Sequence, residues 1–314
     1  KQIERNALNA SGLGSGQAGG DGGSCPFIFT WDGNTFIQDN DIYSTARKMQ
    51  NEYKDYYKIQ KPLQAQNGQY LLRLQEIENE NSWTDFIGLI AAEHPSDQEV
   101  GIDNHGVLHS FSTALSHPPI LAIDADGIEV SESVTGKDNT AYAGFHGDSV
   151  LLDFGPLDTS QGCKLILSQK GFQVPAGGIN PAEGFSGKPG IAVQVLQNNS
   201  WETVDMFFPR VDWAEKIFDL SQYFSSDDSI QVRLQFISHL GKFHSLDYAL
   251  VDTTSNDNFN MTHLAPVQAD LSEGGSALEE LLSEDGMYLE RNPGQSVDLY
   301  FDAEPKEQET AAQT

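Results

Sequence analysis

Ile230-Gln231-Val232-Arg233-Leu234-Gln235-Phe236 is the stretch on which the fold reading turns. Apolar and polar residues alternate with a period of two, so an extended strand here has one dry face and one wet face. The same kind of run recurs on both sides. Upstream lie Ser149-Val150-Leu151-Leu152-Asp153-Phe154, Cys163-Lys164-Leu165-Ile166-Leu167 and Ala192-Val193-Gln194-Val195-Leu196. Downstream lie Leu246-Asp247-Tyr248-Ala249-Leu250-Val251 and Ser296-Val297-Asp298-Leu299-Tyr300-Phe301. Asp32-Gly33, Asn67-Gly68 and Asp126-Gly127 punctuate the first half, and Asn199-Ser200 leads into Trp201-Glu202-Thr203-Val204. Asx-Gly pairs signal hairpins because the tight turns that suit twisted strands need positive φ. Many short strands with turns between them make sandwiches or barrels. Helix is expected only over residues 42–57 and 276–282.

The expectation is a mostly β protein of two β-sandwich, jelly-roll-like modules with little helix. A Gly-rich N-terminal arm spans 1–24 and an N-terminal β module spans 25–147. A second β-sandwich with an acidic extension spans 148–304, and a polar tail spans 305–314. The arm contains Gly-Leu-Gly-Ser-Gly-Gln-Ala-Gly-Gly-Asp-Gly-Gly (12–23) and reads as a flexible tether, because glycine loses much entropy on ordering. A start at Lys1 reads as a processed chain or as one cut from something longer.

The chain of 314 residues carries 46 acidic and 18 basic residues, a formal charge of −28, which argues against nucleic acid and anionic lipid as partners. A nucleic-acid binder needs a basic face to neutralise phosphates, and anionic lipid demands the same. No run reaches the roughly 18 consecutive apolar residues of a membrane span. Strong acidity suits an extracellular or cell-surface setting, where like charge keeps copies apart.

Two resemblances cover much of the chain. Ser24-Cys25-Pro26-Phe27-Ile28-Phe29-Thr30-Trp31-Asp32-Gly33, with Asp55-Tyr56-Tyr57, Glu93-His94-Pro95 and Gly106-Val107-Leu108-His109, resembles an uncharacterised module. That module occurs in large secreted or surface proteins, near ASPIC/UnbV-associated repeats. The resemblance implies export and carries no catalytic residue across. Leu152-Asp153-Phe154-Gly155, Trp201-Glu202-Thr203-Val204, Phe218-Asp219-Leu220-Ser221, Val232-Arg233-Leu234 and Leu246-Asp247-Tyr248 are similar to core strands of galactose-binding-like jelly rolls. That implies a sandwich architecture, not a particular ligand.

Candidate chemistry is sparse. Asp32, Asn34, Asp39 and Asp41, with Asn40, are an oxygen-rich cluster of the kind calcium takes. The competing reading is that Asp32-Gly33 is simply a turn. Asp124-x-Asp126-Gly127 fails as an EF-hand, since Ala122 and Ser133 would occupy loop positions that need Asp and Glu. Cys25 and Cys163 fit no zinc or redox motif; they are a candidate long-range disulfide or two buried thiols. His105, His109 and His117 are close in sequence, and His239 and His244 lie near Asp247, without a metal-ligand pattern. Trp31, Trp83, Trp201 and Trp213 are core aromatics or sugar-stacking platforms. Nucleophile elbows and phosphate loops are missing from the sequence.

The functional expectation is therefore an exported structural protein. Its partners would be copies of itself or other surface proteins, joined through the extended ends in a filament or other polymer. The alternative is a carbohydrate-binding or adhesion module, with calcium as a candidate ion. A hydrolase built on paired carboxylates stands third.

Overall fold

The computed structural model describes residues 2–4, 26–42, 54–79, 81–138, 140–173, 190–226, 228–238, 242–256 and 260–303. Strand dominates, every strand pair is antiparallel, and the chain divides into two units.

Unit 1 comprises residues 1–20, 43–58 and 94–259. Its strands, numbered along the whole chain, begin with β1 (Gln2–Glu4), β7 (Glu99–Ile102), β8 (Leu108–Phe111), β9 (Leu121–Asp124) and β10 (Thr140–Gly144). They continue with β11 (Ser149–Pro156), β12 (Lys164–Gln173), β13 (Gly190–Gln197) and β14 (Ser200–Phe207). The last are β15 (Ala214–Asp219), β16 (Ser229–Ile237) and β17 (Phe243–Asp252). Two five-stranded sheets result, ordered β1-β10-β17-β12-β15 and β14-β13-β16-β11-β9. Val232, Leu234 and Phe236 of β16 point inward beside Val193 and Val195 of β13, and meet Leu165, Leu167, Leu246 and Val251 from the other sheet. One continuous cluster drawn from both sheets makes this unit a β-sandwich. Full burial of each such side chain stabilises by roughly 1.5–3 kcal/mol. β7 and β8 form a separate hairpin.

Unit 2 comprises residues 21–42, 59–93 and 260–314. It contains β2 (Phe27–Trp31), β3 (Phe36–Asp41), β4 (Gln69–Gln75), β5 (Ser82–Thr84) and β6 (Leu89–Glu93). From the end of the chain come β18 (Asn260–Leu264), β19 (Gln268–Leu271), β20 (Leu289–Arg291), β21 (Ser296–Asp302) and the four-residue helix α1 (Leu278–Leu281). The main sheet runs β19-β21-β4-β2-β3, and β18-β6 and β20-β5 are two-stranded sheets. Leu72 and Leu74 of β4 and Val297, Leu299 and Phe301 of β21 are buried at alternate positions. Arg73 and Asp298 between them pair across the strands at 2.6 Å.

The division is thus discontinuous, and the sequence boundary expected at 147/148 falls inside unit 1. β10 pairs with β17 and β9 pairs with β11, so segments from both sides of Gly147 share both sheets. The turn expectations hold. Gly33, Gly68 and Gly127 have φ of 105°, 82° and 79°, and Asn198 and Asn199 turn the β13–β14 hairpin at 49° and 62°. The helix expected at 276–282 is α1, shortened to one turn. Most of 42–57 lies outside the described residues, and residues 54–57 are not helical. The arm and tail, apart from β1, also lie outside.

Candidate functional site

The polar half of the deciding stretch faces outward from unit 1. Antiparallel register sets Arg233 between Gln194 of β13 and Leu151 of β11, and sets Gln231 opposite Asp153. Gln194 in turn lies opposite Thr203 of β14. The side chains are joined across the strands. Arg233 Nε donates to Gln194 Oε1 at 2.7 Å, and Gln194 Nε2 donates to Thr203 Oγ1 at 3.0 Å and to Gln235 Oε1 at 3.4 Å. Gln231 Nε2 donates to Asp153 Oδ2 at 2.9 Å. The Arg233 guanidinium lies 4.7 Å from the centre of the Trp201 ring, within cation–π range. The result is an ordered band of amide, guanidinium, hydroxyl and indole groups across the sheet.

Arg233 stands apart electrostatically. The other described arginines each pair with a carboxylate: Arg73 with Asp298, Arg210 with Asp55, Arg291 with Glu273. Arg233 has no carboxylate partner among the described residues, and partial burial pulls its pKa down.

A second feature lies at the open edge of the sandwich, where edge strands β14 and β15 face each other. An open cavity of about 440 Å³ is lined by Asp103, His105, Asp205, Asp219, Ser221 and Tyr223, among others. Burial raises the Asp205 pKa against hydrogen bonds from Met206 N–H and Asn104. Lys216, buried on β15, is pushed down to about 8, first by burial and then by Arg210. Burial alone would raise Asp103, but hydrogen bonds from His109 and from the Val107 and His105 N–H groups hold it low. Opposed shifts on two carboxylates are the pattern of an acid–base pair. Here both Asp103 oxygens are already engaged, Oδ1 by two backbone N–H groups and Oδ2 by His109 at 3.1 Å. Ser221 is likewise committed: its hydroxyl donates to Asp219 at 2.6 Å and accepts the Cys163 N–H at 3.0 Å. The cavity therefore offers polar recognition more readily than acid–base or nucleophilic chemistry.

No protein-family model matches this chain. A search of curated proteins finds no match either. Among solved structures, one similar chain comes from work titled "Structural basis for the promiscuous specificity of the carbohydrate-binding modules from the beta-sandwich super family". It is 9% identical, the match covers 77% of this chain and 83% of that one, and the TM-score is 0.11. At that level the sandwich assignment rests on the sheets and core described above.

The residues singled out in the sequence fall in several places. Asp32 is a turn residue, its Oδ1 accepting the N–H groups of Asn34 and Thr35 at 2.8 Å each. Asp39 and Asp41 are buried farther along β3, roughly 10–20 Å from that turn by strand rise. Asp39 accepts N–H bonds from Gln60 and Lys61 at 3.0 and 3.2 Å. A bulge after Ile28 in the β2–β3 pairing brings consecutive residues Asp39, Asn40 and Asp41 to buried positions. The structure does not bring Asp32, Asn34, Asp39 and Asp41 together. Among the described residues, no group of three or more His, Cys, Asp or Glu side chains is arranged to hold a metal.

Cys163 is buried in the unit 1 core and bonded to no described cysteine; Cys25 lies outside the described residues. His109 is buried against Asp103, while His117 bridges to Val251 in another loop, so the three neighbouring histidines do not converge. His239 lies outside the described residues, and His244 Nε2 meets the Ile237 carbonyl at 3.0 Å. Trp201 alone of the four tryptophans joins the polar band. Trp31 packs edge-on against Phe36, Trp213 packs against the small cluster around Phe243, and Trp83 is 60% exposed. Sequence reading missed Gln194, Thr203 and Arg233 as a group. Their only local signal was their place on the wet side of alternating runs.

Proposed function

We propose that this chain is an exported surface protein whose unit 1 sandwich binds carbohydrate through the outer face of the β14-β13-β16-β11-β9 sheet. The band centred on Gln194 carries the reading. Sugars present adjacent hydroxyls and apolar C–H faces. Amide and guanidinium groups fixed at strand spacing suit the hydroxyls, and the indole of Trp201 with the 38% exposed Leu196 suits the C–H faces. Because these side chains already hold one another, little of the usual ~0.5–1.5 kcal/mol ordering cost per side chain remains to oppose binding. The formal charge of −28 supports an extracellular place by keeping copies dispersed. Affinity electrophoresis through gels containing neutral and acidic polysaccharides tests the reading. Retardation of the wild type that is lost in Gln194→Ala supports it. Equal retardation of a correctly folded Gln194→Ala variant removes it.

A second reading, assembly through the extended N-terminal end, is favoured by one observation. The three residues of β1 complete the edge of a sheet by pairing with β10, Ile3 opposite Ala141. A strand that adds to an edge within one chain can add to the same edge of another. Ile3→Cys with Ala141→Cys, in a Cys25→Ser background, reports which occurs. Disulfide-linked multimers on non-reducing gels support assembly, and purely intrachain bonds remove it.

A further inference from the structure

We infer that the outer face of the β14-β13-β16-β11-β9 sheet selects an acidic polysaccharide, with Arg233 as the fork that holds a hexuronate carboxylate. This rests on the carbohydrate reading above and names the class of sugar. In a chain with 46 acids against 18 basic residues, an arginine meets a carboxylate easily, and Arg73, Arg210 and Arg291 each do. Arg233 has none among the described residues. Its Nε is occupied by Gln194, and its guanidinium lies over Trp201.

That arrangement fixes the guanidinium plane while leaving both terminal nitrogens without a hydrogen-bond partner among the described residues. A planar pair of N–H groups is matched to the two oxygens of a carboxylate, and Arg does this in a way that Lys cannot. The carboxylate opposite neighbouring Gln231 does not compete. Asp153 is engaged by Gln231 through Oδ2 and by the Gly155 N–H through Oδ1. Neighbouring Gln231 and Gln235 would meet the hydroxyls of the same sugar. Net negative charge elsewhere does not forbid a polyanion. At physiological salt, exposed charges farther off than roughly 8 Å are largely screened, whereas a partly buried contact pair is screened much less.

The test uses the whole chain and gels containing polygalacturonate, alginate, fully methyl-esterified polygalacturonate or a neutral β-glucan. Wild type should be retarded by at least one of the two uronate polymers and much less by the ester, which keeps the hydroxyls and removes the charge. Arg233→Gln should weaken uronate binding about tenfold to a hundredfold, the range for a hydrogen-bonded charged group. Arg233→Lys should recover only part of it. Thermal melting of both variants establishes that they fold. Equal binding of the ester, or full binding by Arg233→Gln or Arg233→Lys, overturns the carboxylate fork. Retardation by the neutral glucan alone overturns the acidic class and leaves the sugar-binding face standing. Retardation by none of the four overturns both.

Discussion

The Arg233 guanidinium sits 4.7 Å from the centre of the Trp201 ring, joining two strands that are not neighbours: β14 and β16 are separated by β13. The intervening Gln194 is buried, and its Oε1 accepts the Arg233 Nε–H. Trp201→Ala should free the guanidinium to move. Polysaccharide affinity should fall about tenfold, with stability lowered by only about 1–2 kcal/mol because the ring is only partly buried. Paired affinity and melting measurements on one preparation check both numbers.

Two ion pairs should respond very differently to truncation. Lys164 and Asp252 pair at 2.9 Å and are 2% and 0% exposed, whereas Arg73 and Asp298 are 31% and 23% exposed. Lys164→Ala leaves a buried carboxylate without its cation and should cost about 3–5 kcal/mol. Asp298→Ala removes a partly solvated pair and should cost about 1 kcal/mol or less. Urea unfolding of the two variants gives the comparison.

Glu215 makes unit 1 sensitive to acid. Burial would raise its carboxyl, but Lys58, Tyr248 and Lys137 outweigh it and hold the pKa at about 2, against 4.5 unperturbed. Lys58 and Lys137 approach to 2.8 and 3.1 Å. The folded state binds its proton less tightly than the unfolded state does. Its stabilisation is therefore complete above pH 4.5 and drains away as pH falls towards 2. Glu215→Gln should lower stability at pH 7 by about 3 kcal/mol. The variant should also flatten the stability profile between pH 4.5 and 2. Denaturant midpoints across that window are the measurement.

Gly144 at the end of β10 has no room for a side chain, since a Cβ there would come within 2.2–2.6 Å of three Phe236 ring carbons from the opposite sheet. Gly144→Ala should destabilise by about 1–3 kcal/mol through overpacking. Adding Phe236→Leu should recover part of that loss, although Phe236→Leu alone destabilises. A double-mutant cycle in urea would read the coupling.

Burial pushes the Cys163 thiol up to about 12. In a Cys25→Ser variant it should resist a thiol reagent at pH 8 and react fully once the protein is unfolded in urea. Rapid labelling of the native variant would show that the sandwich opens at this point.

Much of the fold was legible locally. The alternation in 230–236 placed Val232, Leu234 and Phe236 inside and Gln231, Arg233 and Gln235 outside. The Asx-Gly pairs marked turns whose glycines have the positive φ they require. Little of the site was legible. Gln194, Thr203, Arg233 and Trp201 come from three strands, and each taken alone is an ordinary outward-facing residue. Asp39 and Asp41 read as candidate calcium ligands beside Asp32 and Asn34, and a bulge that no local pattern announced sets them at buried positions farther along β3.

By itself, the sequence determined the kind of element, the inner face of each strand, the main turns and the strongly negative surface. Each of these depends on the chemistry of residues only a few positions apart. Tertiary structure alone decided that the two units interleave along the chain, and that β10 joins β17 within a single sandwich. It also decided that one arginine lies on an indole instead of against an acid. Those outcomes depend on strand order and register, which are set when distant segments bury their apolar faces together.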